Sequence, residues 1–387
     1  MEAFVHARSP RIVFGNGSFA QLPELLSLSG RTALIVTGAR SHLVDGRWGR
    51  LVRSLEVRDV TSLHASISGE PSPDAVDAIV AANRERPVDV VVGWGGGSVV
   101  DGAKAVSAML PVGGTVARFL EGVGSGPDHE GRKLPFVAVP STAGTGSEAT
   151  KNAVLSKVGA GGYKKSLRHD AFVPDLAVVD PELALSCPPG VTAACGLDAL
   201  TQLLEAFVST RATPMTDALA LSGLHRAARS LLRVCEDGSD VEARADMAYA
   251  ALMSGIALAN AGLGVVHGLA SPLGGFFDIP HGVVCGTLLG AATRRTVRHL
   301  EPGSEGHRRY AEAGRVLSGQ ADAIDDEAVE ILVELLDVWV EQLGVHRLSH
   351  YGVSDADFDR VVASAGNKNN AAALEPFEIR GILEDRL

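Results

Sequence analysis

The sequence predicts an α/β N-terminal half followed by an all-helical C-terminal half. Three observations carry this expectation. Short runs of Val, Ile and Ala in the first half end in glycines or in hydroxyl-rich turns. Stretches with helical spacing separate them. Beyond Cys187-Pro188-Pro189-Gly190 strand-like runs nearly vanish, and apolar residues recur at i, i+3, i+4 and i+7. At 387 residues the chain is too long for one small core, so two domains are expected, residues 1–187 and 188–387.

In chain order, TALIVTG (Thr32–Gly38) has a buried-strand pattern. PVDVVVGWGGGS (Pro87–Ser98), LPFVAVPST (Leu134–Thr142) and DLAVVDPEL (Asp175–Leu183) repeat it. Near-continuous apolar runs without polar alternation suit parallel strands covered on both faces. PSPDAVDAIVAANRER (Pro71–Arg86) reads as a helix with a Pro and Asp opening. This is α/β order. In the second half GLDALTQLLEAFVS, TDALALSGLHRAARSLLRV, RADMAYAALMSGIALANA and AVEILVELLDVWVEQLG each carry an apolar stripe at helical period.

Bulk properties narrow the function. The chain is 46% hydrophobic and 21% charged, with a net charge of −11. Its basic residues form only short pairs such as Lys164-Lys165 and Arg294-Arg295. Nucleic-acid binding needs a concentrated basic face, so no such partner is expected. The four cysteines are widely spaced without a CxxC, which suits reduced thiols and a cytoplasmic location. MEAFVHARSP shows no basic region followed by an apolar one, so no secretory signal is expected. No apolar run is long enough to span a bilayer, and no membrane partner is expected.

Two loops carry chemistry. GWGGGSVVDGAKAV (Gly93–Val106) runs from a strand through glycines into a helix, so backbone N–H groups and the helix N-terminus can meet a phosphate. PSTAGTGSEAT (Pro140–Thr150) also follows a strand and crowds hydroxyls and glycines together. Either loop alone suits a tight turn; the pair is what a dinucleotide site needs. A third stretch, GVVHGLASPLGGFFDIPHG (Gly264–Gly282), holds His267 and His281 in apolar surroundings. Two core histidines satisfied by carbonyls, or two site residues, both fit it.

GGGSVVD, PSTAGTGSEAT, GLDALTQLLEAFVS and the stretch ending in PHG resemble the iron-containing (group III) alcohol dehydrogenases, relatives of glycerol dehydrogenase and dehydroquinate synthase. The resemblance covers essentially the whole chain. It implies a dehydroquinate synthase-like fold, with an α/β dinucleotide-binding domain, an all-helical domain and an active site between them. It further implies a divalent metal, Fe or Zn, at Asp198, Gln202, His267 and His281. For the cofactor, NAD or NADP, it implies Gly38, Gly96, Gly97, Ser98, Asp101, Ser141, Thr142, Thr145, Asn152 and Lys165. Lys104 suits either the site or a solvated helix face, and Glu205 is not taken as a ligand.

The chain departs from the family pattern at several positions. Gln202 stands where the family has a metal-binding His, and a neutral amide oxygen is a weaker ligand. Ser271 stands where a proton-relay His is common. The catalytic set is therefore His267, His281 and Ser271. Gly38 stands where NAD-preferring members hold the ribose with an Asp, which permits NADP. Glu70-Pro71 replaces an Asn-Pro. The expected activity is metal-assisted, NAD(P)-dependent hydride transfer with a small-molecule alcohol or aldehyde, in a homodimer or higher homo-oligomer. The alternative is a metal-independent reductase of the maleylacetate reductase type. A lyase of the dehydroquinate-synthase type and a non-catalytic binding protein are the remaining readings.

Overall fold

The computed structural model describes residues 3–124, 126–367 and 369–387. Its N-terminal half is built on a six-stranded parallel sheet. The strands are β1 (Arg11–Phe14), β2 (Thr32–Gly38), β3 (Thr61–Ile67), β4 (Val90–Gly95), β5 (Phe136–Pro140) and, after a hairpin, β8 (Leu176–Val179). They lie in the order β1-β8-β5-β4-β2-β3. The hairpin is an antiparallel pair, β6 (Asn152–Lys157) with β7 (Tyr163–Arg168).

All four strands expected from apolar runs are present, because each is covered on both faces. Leu34 and Val36 of β2 pack on one side with Val76 and Val80 of helix α3 (Pro73–Asn83) and Val99 and Val106 of α4 (Gly97–Met109). Ala33 and Ile35 pack on the other side with Leu26 of α1 (Leu22–Ser27) and Leu51 and Leu55 of α2 (Arg47–Glu56). The apolar-run signal misses β1 and β3. Both are edge strands, largely exposed or half-buried; β1, RIVF, is only four residues long, and in β3 polar residues interrupt the run. The hairpin is missed for the same reason, since Lys, Ser and Arg alternate with its buried residues.

From β2 the chain steps outward to β3, then returns to place β4 on the opposite side of β2. The reversal opens a crevice at the C-terminal ends of β2 and β4, the usual ligand position of such sheets. Gly38 ends β2, and Gly96 precedes α4 there.

Helices dominate from Pro189 onward. α5 (Pro189–Phe207) runs through the middle of the helical half and is buried along almost all its length. Around it stand α6 (Pro214–Glu236), α7 (Val241–Ala261), α8 (Val265–Phe276) and α9 (His281–Val297). α10 (Glu305–Ser318), α11 (Asp325–Gln342), α12 (Phe358–Ser364) and α13 (Pro376–Glu384) complete the layer. α7 and α8 meet at a 101° bend, and among the described residues no single helix is long and apolar enough to cross a membrane.

α9 approaches α5 unusually closely. A Cβ at Gly282 would fall well inside contact distance of the Ala194 carbonyl, and one at Gly286 would lie 2.7 Å from Leu197 Cδ1. Two glycines spaced i, i+4 thus remove the side chains that would hold the helices apart. Gly282→Ala must push backbone against backbone, and we expect it to destabilise the fold by about 1–3 kcal/mol. Urea unfolding of the purified protein checks this; an unchanged midpoint would show that the helices separate freely.

Candidate active site

Asp198, Gln202 and Glu205 lie on one face of α5, at i, i+4 and i+7. The close approach of α9 brings His281 to them, and α8 brings His267. Asp198 Oδ1 lies 3.3 Å from His267 Nε2 and 3.6 Å from His281 Nε2. A residue that the motifs did not single out completes the group. Cys285, one turn beyond His281, places its Sγ 3.6 Å from His267 Nε2 and 3.7 Å from His281 Nε2. One ligand atom from each of Asp198, His267, His281 and Cys285 falls within 4.8 Å of all the others. The signal for Cys285 was its i+4 spacing from His281, legible only once α9 is known to start at His281.

Glu205 is an orienting group. Its Oε2 lies 2.6 Å from His267 Nδ1, and its Oε1 accepts from the Val266 N–H at 2.8 Å. This holds the ring with Nε2 toward Asp198 and places a carboxylate at the N-terminus of α8, where it is favoured. Gln202 is turned away from the expected role. Its amide nitrogen donates to Asp198 Oδ1 at 3.2 Å, and its oxygen accepts from Ser254 Oγ at 2.7 Å. In this orientation the single Ser254 hydroxyl proton is shared between Gln202 Oε1 and the Ala251 carbonyl, each at 2.7 Å. So oriented, Gln202 faces Asp198 with a donor, whereas the sequence reading expects a ligand oxygen there.

Burial works against ionisation of Asp198, yet His281 and His267 hold its carboxyl below the ordinary range. Burial also opposes charge on His267, but Cys285, Glu205 and Asp198 outweigh it and raise its pKa well above the usual value. His281 goes the other way: desolvation pushes it down to about 4 despite Asp198. A neutral His281 keeps a lone pair for a metal.

The cleft lies between the two halves. One part, of about 550 Å³, is lined by Gly96, Gly97, Ser98, Thr142, Thr145 and His281, among others. An adjoining part, of about 330 Å³, reaches Asn152, Lys165, Gln202, His267 and Ser271. Gly97, Ser98, Thr145 and His281 line both. Ser271 is exposed in the inner part, one turn along α8 from His267. Gly38 and Ser141 are not among the lining residues; Gly38 sits at the end of β2, and the Ser141 N–H bonds to the Gly95 carbonyl at 2.8 Å.

Several side chains differ from expectation. Asp101 is committed to the protein, bonded to the Ser147 hydroxyl and to the Val154 N–H at 3.1 Å. Lys104 is fully buried, not solvated. Its Nζ donates to the Asn152 carbonyl at 2.6 Å and the Ser147 carbonyl at 2.8 Å, which ties the hydroxyl-rich loop to α4. Lys165 is exposed on β7 while Lys164, its neighbour, is buried and pairs with Glu70 at 2.8 Å. Strand alternation sends the two lysines to opposite faces, which the Lys-Lys dipeptide alone does not reveal.

Residues 9–181 match the family described as iron-containing alcohol dehydrogenase, and residues 192–384 match the C-terminal part of the Fe-containing alcohol dehydrogenase family. The chain belongs to the iron-containing alcohol dehydrogenase family. Long-chain-alcohol dehydrogenase 1 of Geobacillus thermodenitrificans is 34% identical, over 97% of this chain and 96% of its own. NAD-dependent methanol dehydrogenase of Bacillus methanolicus is 35% identical over 71% of each. The crystal structure of a 1,3-propanediol oxidoreductase superposes with a TM-score of 0.88 at 28% identity, covering 100% of both chains. The protein is accordingly an oxidoreductase acting on CH–OH groups, with the two-part fold expected of the family. These relatives lend no support to the maleylacetate reductase alternative.

Glu148, in the hydroxyl-rich loop, gives this floor a pH dependence. Burial raises its pKa to about 7, against smaller lowering effects of a backbone N–H and Lys104. A carboxyl raised on folding contributes stability fully present below its unfolded pKa, about 4.3, and lost as pH rises through about 7. Glu148→Gln stays neutral throughout. Its Tm relative to wild type should therefore rise between pH 5 and pH 8.5; a pH-independent difference would show that Glu148 ionises normally.

Proposed function

We propose that the cleft carries out NAD(P)-linked interconversion of a small alcohol and its aldehyde, with Asp198, His267 and His281 as the core of a divalent metal site. The observation that carries this reading is the convergence of a carboxylate and two imidazoles at the inner end of a glycine-floored cleft. The donor set fits the group, since one carboxylate and two imidazoles, that of His267 oriented by Glu205, suit Fe²⁺ or Zn²⁺. When bound, the metal supplies Lewis-acid polarisation of the substrate oxygen and the nicotinamide supplies hydride chemistry.

The protein's own residues do the rest. Gly96, Gly97 and Ser98 open the N-terminus of α4 to the pyrophosphate, and Thr142 and Thr145 wall the same passage. Lys104 and Asp101 hold the loop and hairpin that form the floor. Glu205 fixes the His267 ring. Ser271 passes the substrate proton toward solvent, a role supported by its exposure in the lining of the inner chamber. Asn152 and Lys165 line the chamber from the hairpin.

Further parts of the reading are finer. NADP as well as NAD is accommodated, supported by Gly38 at the end of β2, with no carboxylate there to repel a 2′-phosphate. A homodimer or higher homo-oligomer is supported by the edge strand β1, which leaves Ile12 and Phe14 partly exposed. Free Cys187, Cys195, Cys235 and Cys285 support a reducing cytoplasm. The boundary between residues 1–187 and 188–387 is supported by the first long helix starting at Pro189.

Two experiments test the cofactor end. A Cβ at Gly97 would lie 2.5 Å from Thr145 Cγ2 and Oγ1, which forces Thr145 into the cofactor passage. Gly97→Ala should weaken NADH binding by about tenfold, or about 1.4 kcal/mol, with the Tm unchanged. Fluorescence titration of NADH reads this, and an unaltered Kd in the folded variant would remove the loop from the cofactor site. For cofactor choice, Gly38→Asp should move the ratio of kcat/KM for NAD over NADP upward, measured with a series of primary alcohols. A ratio that stays fixed would place residue 38 away from the ribose.

A further inference from the structure

Within the metal-assisted reading above, on which this rests, we infer that Cys285 is the fourth ligand of the metal and that Gln202 is not one. Two independent observations meet here. The first is distance. A tetrahedral ion with bonds of about 2.0–2.1 Å to N or O and about 2.3 Å to S requires N–O edges of about 3.3 Å and N–S edges of about 3.6 Å. Asp198 Oδ1 stands 3.3 and 3.6 Å from the two Nε2 atoms, and Cys285 Sγ stands 3.6 and 3.7 Å from the same two atoms. Four edges of one tetrahedron are thus laid out by side chains on three helices.

The second observation is the competing group. Gln202 spends its oxygen on Ser254 and its nitrogen on Asp198 Oδ1. It serves as a hydrogen-bond donor to a ligand, a supporting role. Cys285 has no such alternative occupation. It is fully buried, and its sulfur faces two imidazoles, where a packing cysteine would meet aliphatic carbon.

Placement on the helix explains why a thiol can take this role. Cys285 follows His281 by one turn, so both point to one spot from the first two turns of α9. Gly282 and Gly286 sit beside them and press that part of the helix onto α5, bringing the pair to Asp198. A sulfur ligand also changes which ion suits the site. An Asp, two His and a thiolate favour zinc-class ions with tetrahedral preference over hard, oxygen-seeking ones.

The test uses the full chain, stripped with a chelator and reloaded with Co²⁺ as the probe. Wild type should bind one Co²⁺ per chain and show a near-ultraviolet thiolate-to-cobalt charge-transfer band. Cys285→Ser should lose the band. Its Zn²⁺ affinity should fall by more than the about 10–100-fold typical of removing a ligand's hydrogen-bond partner. Gln202→Ala should keep the band. Bound Co²⁺ without the band in wild type, or a band that survives Cys285→Ser, overturns the inference and leaves the metal-assisted reading standing. Wild type that binds no Co²⁺ and no Zn²⁺ overturns both. The wild-type spectrum decides the matter even if Cys285→Ser fails to fold, which circular dichroism would show.

Discussion

The contact on which the site depends is the approach of α9 to α5. At van der Waals separation set by two glycines, the start of α9 can deliver both His281 and Cys285 to the face of α5 that carries Asp198. With ordinary side chains at 282 and 286 the same residues would stand apart, and no set of donor atoms would share one centre. The burial of α5 follows from the same arrangement. It is the common partner of α6, α7 and α9, so its position is over-determined by the core around Leu197, Leu200 and Leu204. A carboxylate on a helix held that firmly has little freedom to relax toward solvent.

Two clusters of buried charge border the cleft, and each is furnished with partners. Around Asp198, both imidazoles, Gln202 and Glu205 share the cost of desolvation between opposite charges and hydrogen bonds. Beneath the hydroxyl-rich loop, Lys104 is enclosed by carbonyls, hydroxyls and Asp101. The first cluster leaves its donor atoms pointing at a common point. The second turns its donors inward on the protein. That difference separates a site poised for a ligand from a buried pair that fixes a loop, although both begin as charged residues in apolar surroundings.

Much of this was legible in the chain. Central strands carry continuous apolar runs because both faces are covered, and helices carry stripes because one face is. Both signals depend on local order alone, and they located β2, β4, β5, β8 and the helical half. The GGGS and hydroxyl loops, Asp198, His267 and His281 were legible as motifs. The edge strands and the hairpin were not: β1 is too short for a pattern, and in β3 and the hairpin polar residues interrupt it.

Local order in the chain was enough for the two-part architecture, the glycine-rich and hydroxyl-rich loops and three of the converging side chains. The surroundings of Gln202, Lys104, Lys164 and Cys285 emerge only from the folded chain. Each is ambiguous alone: an amide has two ends, a lysine can snorkel or be enclosed, adjacent strand residues face opposite ways, and a cysteine packs as readily as it ligates. Their roles depend on what stands within about 4 Å. Those neighbours come from segments 18 to 94 residues away, as with Cys285 and His267 or Lys164 and Glu70. Local periodicity carries no record of such distances, because they are set by how closely whole helices can pack.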